Sequence, residues 1–163
     1  MDEEAVAVLT TGGTIDKVYF DATSEFEIGD SVVGELLREA HVSCPFRLQE
    51  VMRKDSLDLT DDDRAAISAA VSACEERAIV ITHGTDTMTA TAAVLQAVGD
   101  KTIVLTGALS PARFAKSDAT FNVGMAFAAA QSLDPGVYIV MSGQVFEAGR
   151  VRKDKANNVF VRC

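Results

Sequence analysis

Short apolar runs recur along the chain between longer stretches of mixed polarity. Residues 5–10, 78–82, 102–106 and 137–141 are rich in Val, Ile and Leu, and each run is too short for a helix. Runs of that length, closed by Gly or small polar residues, read as strands buried on both faces. Residues 46–52 alternate apolar and polar side chains and predict a further strand. Helical spacing fills the gaps. Residues 32–40 read as a short helix. Ile67, Ala70, Val71 and Cys74 recur at i, i+3, i+4 and i+7 behind Thr60, a good N-cap, and three aspartates suited to a helix N-terminus. Residues 87–98 predict a helix stopped by Gly99, and Ser117 and Asp118 cap another that reaches about Ser132. Residues 11–30, with Gly12, Gly13 and Gly29, read as one long loop, and residues 144–163 as strand-like pieces with more basic character.

Strands alternating with helices predict an α/β domain whose parallel sheet is covered on both faces. Right-handed crossovers place all strand C-termini on one edge, so Thr14, Ser56 and Thr85, each just past a strand, are expected to share it. The chain has 163 residues, enough for one domain with a real core, and no repeat or linker divides it. Its formal net charge of −9 offers no basic footprint for nucleic acid. Cys44, Cys74 and Cys163 are widely spaced, without a CxxC, which suits reduced thiols. The acidic start Met1-Asp2-Glu3-Glu4 runs straight into a strand, unlike a signal peptide, and no apolar run has transmembrane length. The expectation is a cytoplasmic protein that meets neither nucleic acid nor membrane.

Two strand ends carry the candidate chemistry: Thr10-Thr11-Gly12-Gly13-Thr14-Ile15 and Ile81-Thr82-His83-Gly84-Thr85-Asp86-Thr87-Met88. Open α/β sheets bind ligands at such ends. The Thr14 hydroxyl is a nucleophile only if a base or charge activates it, and the preceding glycines let backbone and substrate come close. The alternative is a structural turn with Thr14 as a cap. Thr85 offers a hydroxyl that positions or activates water, and Asp86 a carboxylate for a substrate ammonium; alternatively, Asp86 and Thr87 only cap the next helix. His83 reads as a packed, hydrogen-bonded residue rather than a base. Lys153 sits in Val151-Arg152-Lys153-Asp154-Lys155, which reads as a solvated face unless the lysine enters the cleft beside Thr85 as a proton relay.

The two motifs resemble the signature segments of the L-asparaginase family. Further segments follow in the same order: Lys54-Asp55-Ser56-Leu57-Asp58-Leu59-Thr60, Leu105-Thr106-Gly107-Ala108, Lys116-Ser117-Asp118-Ala119-Thr120-Phe121-Asn122, and Val140-Met141-Ser142-Gly143-Gln144-Val145-Phe146 with an ungapped run to Lys153. The resemblance implies a three-layer, flavodoxin-like, mostly parallel sheet and hydrolysis of the L-asparagine side-chain amide to aspartate and ammonia. It implies catalytic roles for Thr14, Thr85, Asp86 and Lys153. It also implies a substrate-contact set of Gly13, Asp55, Ser56, Gly84, Thr85 and Asp86. Neither metal nor organic cofactor is implied, and the family's habit implies a homodimer or homotetramer. The Leu105–Ala108 and Lys116–Asn122 segments are assigned to packing and helix capping.

Two departures stand out. Family members carry a tyrosine on the loop after the first motif, shortly before a glycine; the register Phe26-Glu27-Ile28-Gly29 puts phenylalanine there. Phe26 has no hydroxyl, so Tyr19 is the candidate activator of Thr14 by a different loop geometry. Family members also continue into a smaller C-terminal domain. Here residues 1–163 are expected to be a short form without that domain and without its acidic contact to substrate. Alternatives are an amidohydrolase for glutamine or a D-isomer, and a non-catalytic amino-acid sensor, which Phe26 would favour.

Overall fold

In a computed structural model, which describes residues 4–163, the four apolar runs form the middle of one sheet. The acidic start, residues 1–3, lies outside the described residues. In chain order the elements are β1 (Val6–Gly12), β2 (Lys17–Phe20), β3 (Glu25–Ile28), α1 (Val33–Glu39), β4 (Phe46–Lys54), α2 (Asp61–Ala73) and β5 (Ala78–Thr82). There follow α3 (Met88–Leu95), β6 (Thr102–Thr106), α4 (Ala119–Ser132), β7 (Gly136–Met141), β8 (Gln144–Glu147), β9 (Val151–Asp154) and β10 (Val159–Arg162).

The main sheet runs β4-β1-β5-β6-β7-β8, parallel except for β8, which turns back antiparallel on β7. This is the flavodoxin-like order with one antiparallel edge strand added. Alternate residues of each strand go to opposite layers. Ala7, Leu9, Ile79, Ile81, Ile103 and Leu105 pack with Ile67 and Val71 of α2 and Met88, Ala92 and Leu95 of α3. Val6, Val8, Val80 and Val104 pack with Val33 and Leu37 of α1 and with Val123, Ala126 and Phe127 of α4. Burial on both faces explains why these strands are continuously apolar in sequence.

The sheet order reverses between β1 and β5. The chain leaves β1 toward the β4 side and leaves β5 toward β6, which opens a crevice at their C-terminal ends. Thr11 spans it at the base, its hydroxyl donating to the Thr82 carbonyl at 2.7 Å.

The expected long loop is mostly structured. Thr14–Asp16 form a 3-10 turn, and β2 and β3 pair as a hairpin whose register sets Tyr19 opposite Phe26. Ser24, at φ 53°, makes the turn. The hairpin escaped the periodicity reading because most of its side chains are exposed, so no buried face shapes the pattern. Other differences are smaller. α3 ends at Leu95 rather than at Val98, β1 continues through Gly12, and β7 starts at Gly136, one residue before the expected run. Only Ser117 caps α4, through Ala119 N–H. The Asp118 carboxylate instead accepts from Leu109 and Ser110 N–H, holding the loop after β6. No helix among the described residues is long and apolar enough to cross a membrane.

Candidate active site

Three chain segments meet at the crevice with almost no room between their backbones. Gly13 has φ 88° and ψ −178°, open only to glycine, and a Cβ there would lie 2.5 Å from Gly84 N. A Cβ on Gly84 would in turn lie 2.6 Å from Ser56 Cβ. The first motif, the second motif and the turn after β4 are thereby stacked. Thr14, Thr85 and Ser56 come to one edge because the glycines beside them let it happen.

Ser56 is buried at the start of the 3-10 turn Ser56–Asp58. Its Oγ accepts from Thr87 N–H at 3.3 Å, and the Thr87 hydroxyl donates to its carbonyl at 2.7 Å. Thr87 therefore ties two segments of the site together rather than capping α3 through its side chain. Asp55 accepts from Leu57 N–H at 3.0 Å and faces Lys17 Nζ at 3.3 Å.

Lys153 enters the crevice. Its Nζ donates to Thr85 Oγ1 at 2.8 Å and to Asp86 Oδ1 at 2.7 Å, with the lysine side chain 8% exposed and that of Asp86 35%. The β9–β10 hairpin makes this possible. Val151 and Lys153 share a strand face, and Phe160 stands opposite Lys153 in register. Val151 and Phe160 are buried in the α2/α3 layer, so that face turns inward and takes the lysine with it. An ammonium donating to the Thr85 hydroxyl oxygen leaves the hydroxyl proton free to point at a reacting group.

Tyr19 is placed less directly. Its ring lies 5.3 Å from that of Phe26, which in turn meets Phe114 at 5.8 Å. The tyrosine stands across the hairpin from Phe26, the position to which the family resemblance assigns a tyrosine. Arg113 braces the same hairpin, donating to the Asp30 carbonyl at 2.9 Å and the Asp16 carbonyl at 3.4 Å. Asp118 and Asn122 hold the loops beneath: Asn122 donates to the Gly107 carbonyl and to Asp118, and accepts from Ser142 N–H. From the sequence these residues have only packing and capping roles, because the partners of Asn122, Gly107 and Ser142, lie far along the chain. Among the described residues no group of three His, Cys, Asp or Glu gathers where a metal could sit.

Two buried ionisable groups flank the edge, with opposite pH dependences. Asp16 accepts from Val32 N–H at 3.2 Å. Burial pushes its pKa up from 3.8 to about 6, against the lowering effect of that bond, Ser31 and Arg113, while Glu50 adds to the rise. His83 is packed as the sequence suggested, with Nδ1 2.6 Å from the Gly84 carbonyl and Nε2 2.8 Å from Thr91 Oγ1. A carbonyl only accepts, so Nδ1 carries the proton and Nε2 accepts from Thr91. Burial lowers its pKa from 6.5 to about 4, so the ring is neutral and unsuited to act as a base near neutral pH.

The raised Asp16 pKa contributes stability that is complete below about pH 4 and lost as pH rises through about 6. The lowered His83 pKa contributes stability that is complete above about pH 6.5 and lost as pH falls toward 4. The two oppose each other across this window. Asp16→Asn keeps an acceptor for Val32 and removes the charge. It is expected to raise stability at pH 7.5 by on the order of 2–3 kcal/mol. The gain shrinks toward pH 4, so the variant's melting temperature climbs between pH 4 and 6.5 where that of the parent stays nearly level. Thermal melts of both proteins across that range check this.

The family described as "Asparaginase, N-terminal" matches residues 5–160. L-asparaginase 2 of Escherichia coli is 30% identical over 165 residues, covering 94% of this chain and 47% of its own length. A glutaminase-asparaginase of Acinetobacter glutaminasificans is 33% identical over 162 residues, covering 91% of this chain and 49% of its own length. The structure of the thermostable L-asparaginase from Thermococcus kodakarensis superposes with a TM-score of 0.84 at 27% identity, over 97% of this chain and 51% of that one. The chain thus spans about half the length of the relatives it matches.

Proposed function

The chain belongs to the asparaginase family, and on that premise we propose that it hydrolyses the side-chain amide of L-asparagine, giving L-aspartate and ammonia. The observation that carries the reading is the Lys153–Thr85–Asp86 contact at the same edge as Thr14 and Ser56. A pocket that only bound an amino acid would have no need of a lysine on a threonine hydroxyl.

In this reading the Thr14 hydroxyl attacks the amide carbonyl carbon. Its C–O bond forms, the C–N bond breaks, and ammonia leaves with the hydroxyl proton. Water then cleaves the ester, regenerating the hydroxyl and releasing the carboxylate. Lys153 and Thr85 move the proton to the leaving nitrogen and then off the attacking water, with Asp86 holding the ammonium of Lys153 in place. Backbone N–H groups beside Thr14 and Thr85 receive the developing oxyanion. The same arrangement would serve direct attack by water positioned between the threonines. Ser56 holds the α-carboxylate and Asp86 the α-ammonium, with Gly13 and Gly84 giving close passage. Tyr19 is the group proposed to activate Thr14, supported by its place opposite Phe26. Tyr19→Phe is expected to lower turnover about tenfold or more, read as kcat for ammonia release. A cytoplasmic homodimer or homotetramer completes the proposal, by the family's habit and the wide spacing of Cys44, Cys74 and Cys163.

The test is ammonia release from L-asparagine, L-glutamine and D-asparagine at high millimolar concentration. Preference for L-asparagine supports the reading. Preference for L-glutamine moves the substrate to the longer amide, as the name of the Acinetobacter relative allows. Release from none of them, with aspartate still raising the melting temperature, makes the crevice a sensor.

A further inference from the structure

We propose that Asp55 and Lys17 are a positioning pair that fixes the Thr14 turn against the Ser56 turn, and that Asp55 does not itself contact substrate. This rests on the assignment of Thr14 and Ser56 to one amide-hydrolysing centre. The two oxygens of Asp55 serve different segments. Oδ1 accepts from Leu57 N–H at 3.0 Å and so shapes the 3-10 turn that begins at Ser56. Oδ2 lies 3.3 Å from Nζ of Lys17, the first residue of β2 and three beyond Thr14.

The backbone adds a second fastening on the other side of Thr14, where Gly13 N–H donates to the Lys54 carbonyl at 3.0 Å. The stretch that carries Thr14 is therefore held at both ends by the dipeptide Lys54-Asp55, and the residue after that dipeptide is Ser56. Lys17 N–H also donates to the Thr14 carbonyl, so a pull on Lys17 reaches Thr14 directly. Arg53, one residue earlier on β4, pairs with Asp30 just past the far strand of the hairpin. The end of β4 thus grips the hairpin at its entry and its exit.

Both side chains of the Lys17–Asp55 pair are partly exposed, at 28% and 31%. Such a pair is weak and screened by salt, which suits a fastening that gives way rather than a rigid strut. Each oxygen of Asp55 has a partner within the protein, one on each of the two turns it joins.

The test is a double-mutant cycle of Lys17→Met and Asp55→Asn. The asparagine variant keeps an acceptor for Leu57 and loses the charge that faces Lys17. Readouts are kcat and KM for L-asparagine and hydrogen exchange of the amides of residues 17–28. Each single variant is expected to lower kcat about fivefold with KM within about twofold, because misplacement costs attack geometry rather than binding. The double variant is expected to be no worse than either single one, and Lys17→Arg to recover the parent kcat. Hairpin exchange should quicken about fivefold in Lys17→Met and Asp55→Asn.

Multiplying effects would overturn the pairing. A rise in KM with kcat intact in Asp55→Asn would return Asp55 to the substrate. Unchanged hairpin exchange would overturn the fastening. Hairpin exchange reads the pair whether or not the protein turns over, so an inactive parent would refute the proposed function while leaving this inference to be decided separately.

Discussion

Lys153→Met is expected to lower amide hydrolysis about a hundredfold or more while leaving the protein folded. The fold tolerates the change because methionine is unbranched and apolar and fits the face that Lys153 shares with Val151, opposite Phe160. Asp86, 35% exposed, regains water when its partner goes. The chemistry does not tolerate it. Thr85 Oγ1 loses the donor at 2.8 Å, and no other charged group among the described residues hydrogen-bonds to its hydroxyl. Lys153→Arg separates proton transfer from simple charge. A guanidinium keeps the positive charge but never deprotonates, and its fork does not fit where one ammonium meets two oxygens. Arginine is therefore expected to fail nearly as badly as methionine. Parallel kcat measurements and thermal melts check both variants. Turnover untouched in Lys153→Met would remove the relay.

The central strands and the cover on both faces of the sheet were legible because strands buried on both faces cannot hide: Ile79-Val80-Ile81 and Ile103-Val104-Leu105 have apolar neighbours in both layers, whereas the flavodoxin-like order came from the family resemblance. Parallel connection then implied that Thr14, Ser56 and Thr85 share one edge. The β2–β3 hairpin was not legible, since Glu25, Phe26 and Glu27 are all exposed and carry no inward period. Lys153 is the instructive case. Read as a charge run, Arg152-Lys153-Asp154-Lys155 belongs in water. Read as a strand from Val151, the same residues alternate, and Lys153 falls on the buried side with Val151. Only the family resemblance picked out the lysine, although the period-2 signal was present. Asp16 and Asn122 were missed for another reason. Each owes its role to contacts distant in sequence, Val32 and Arg113 for one and Gly107 and Ser142 for the other, which no local pattern announces.

Thr14→Ala carries the largest expected loss, about a thousandfold or more in kcat, because it removes the atom that forms the covalent bond. Folding should be little affected. Thr14 is only partly buried, and its turn is held by backbone bonds, the Asp16 N–H to the Gly13 carbonyl at 3.1 Å and the Gly13 N–H to Lys54, which alanine leaves in place. Thr14→Ser, which keeps the hydroxyl, should retain much more activity than alanine. If water rather than Thr14 were the nucleophile, alanine would cost only the lost positioning, and the two substitutions would differ far less.

The most direct test is steady-state ammonia release from L-asparagine by the parent protein and Thr14→Ala side by side, with aspartate-induced melting shifts as the control for an intact crevice. The account predicts clear turnover by the parent, about a thousandfold less or none from the variant, and a melting shift in both. An alanine variant that releases ammonia at the parent's rate would contradict it, as would a parent that binds aspartate and releases none.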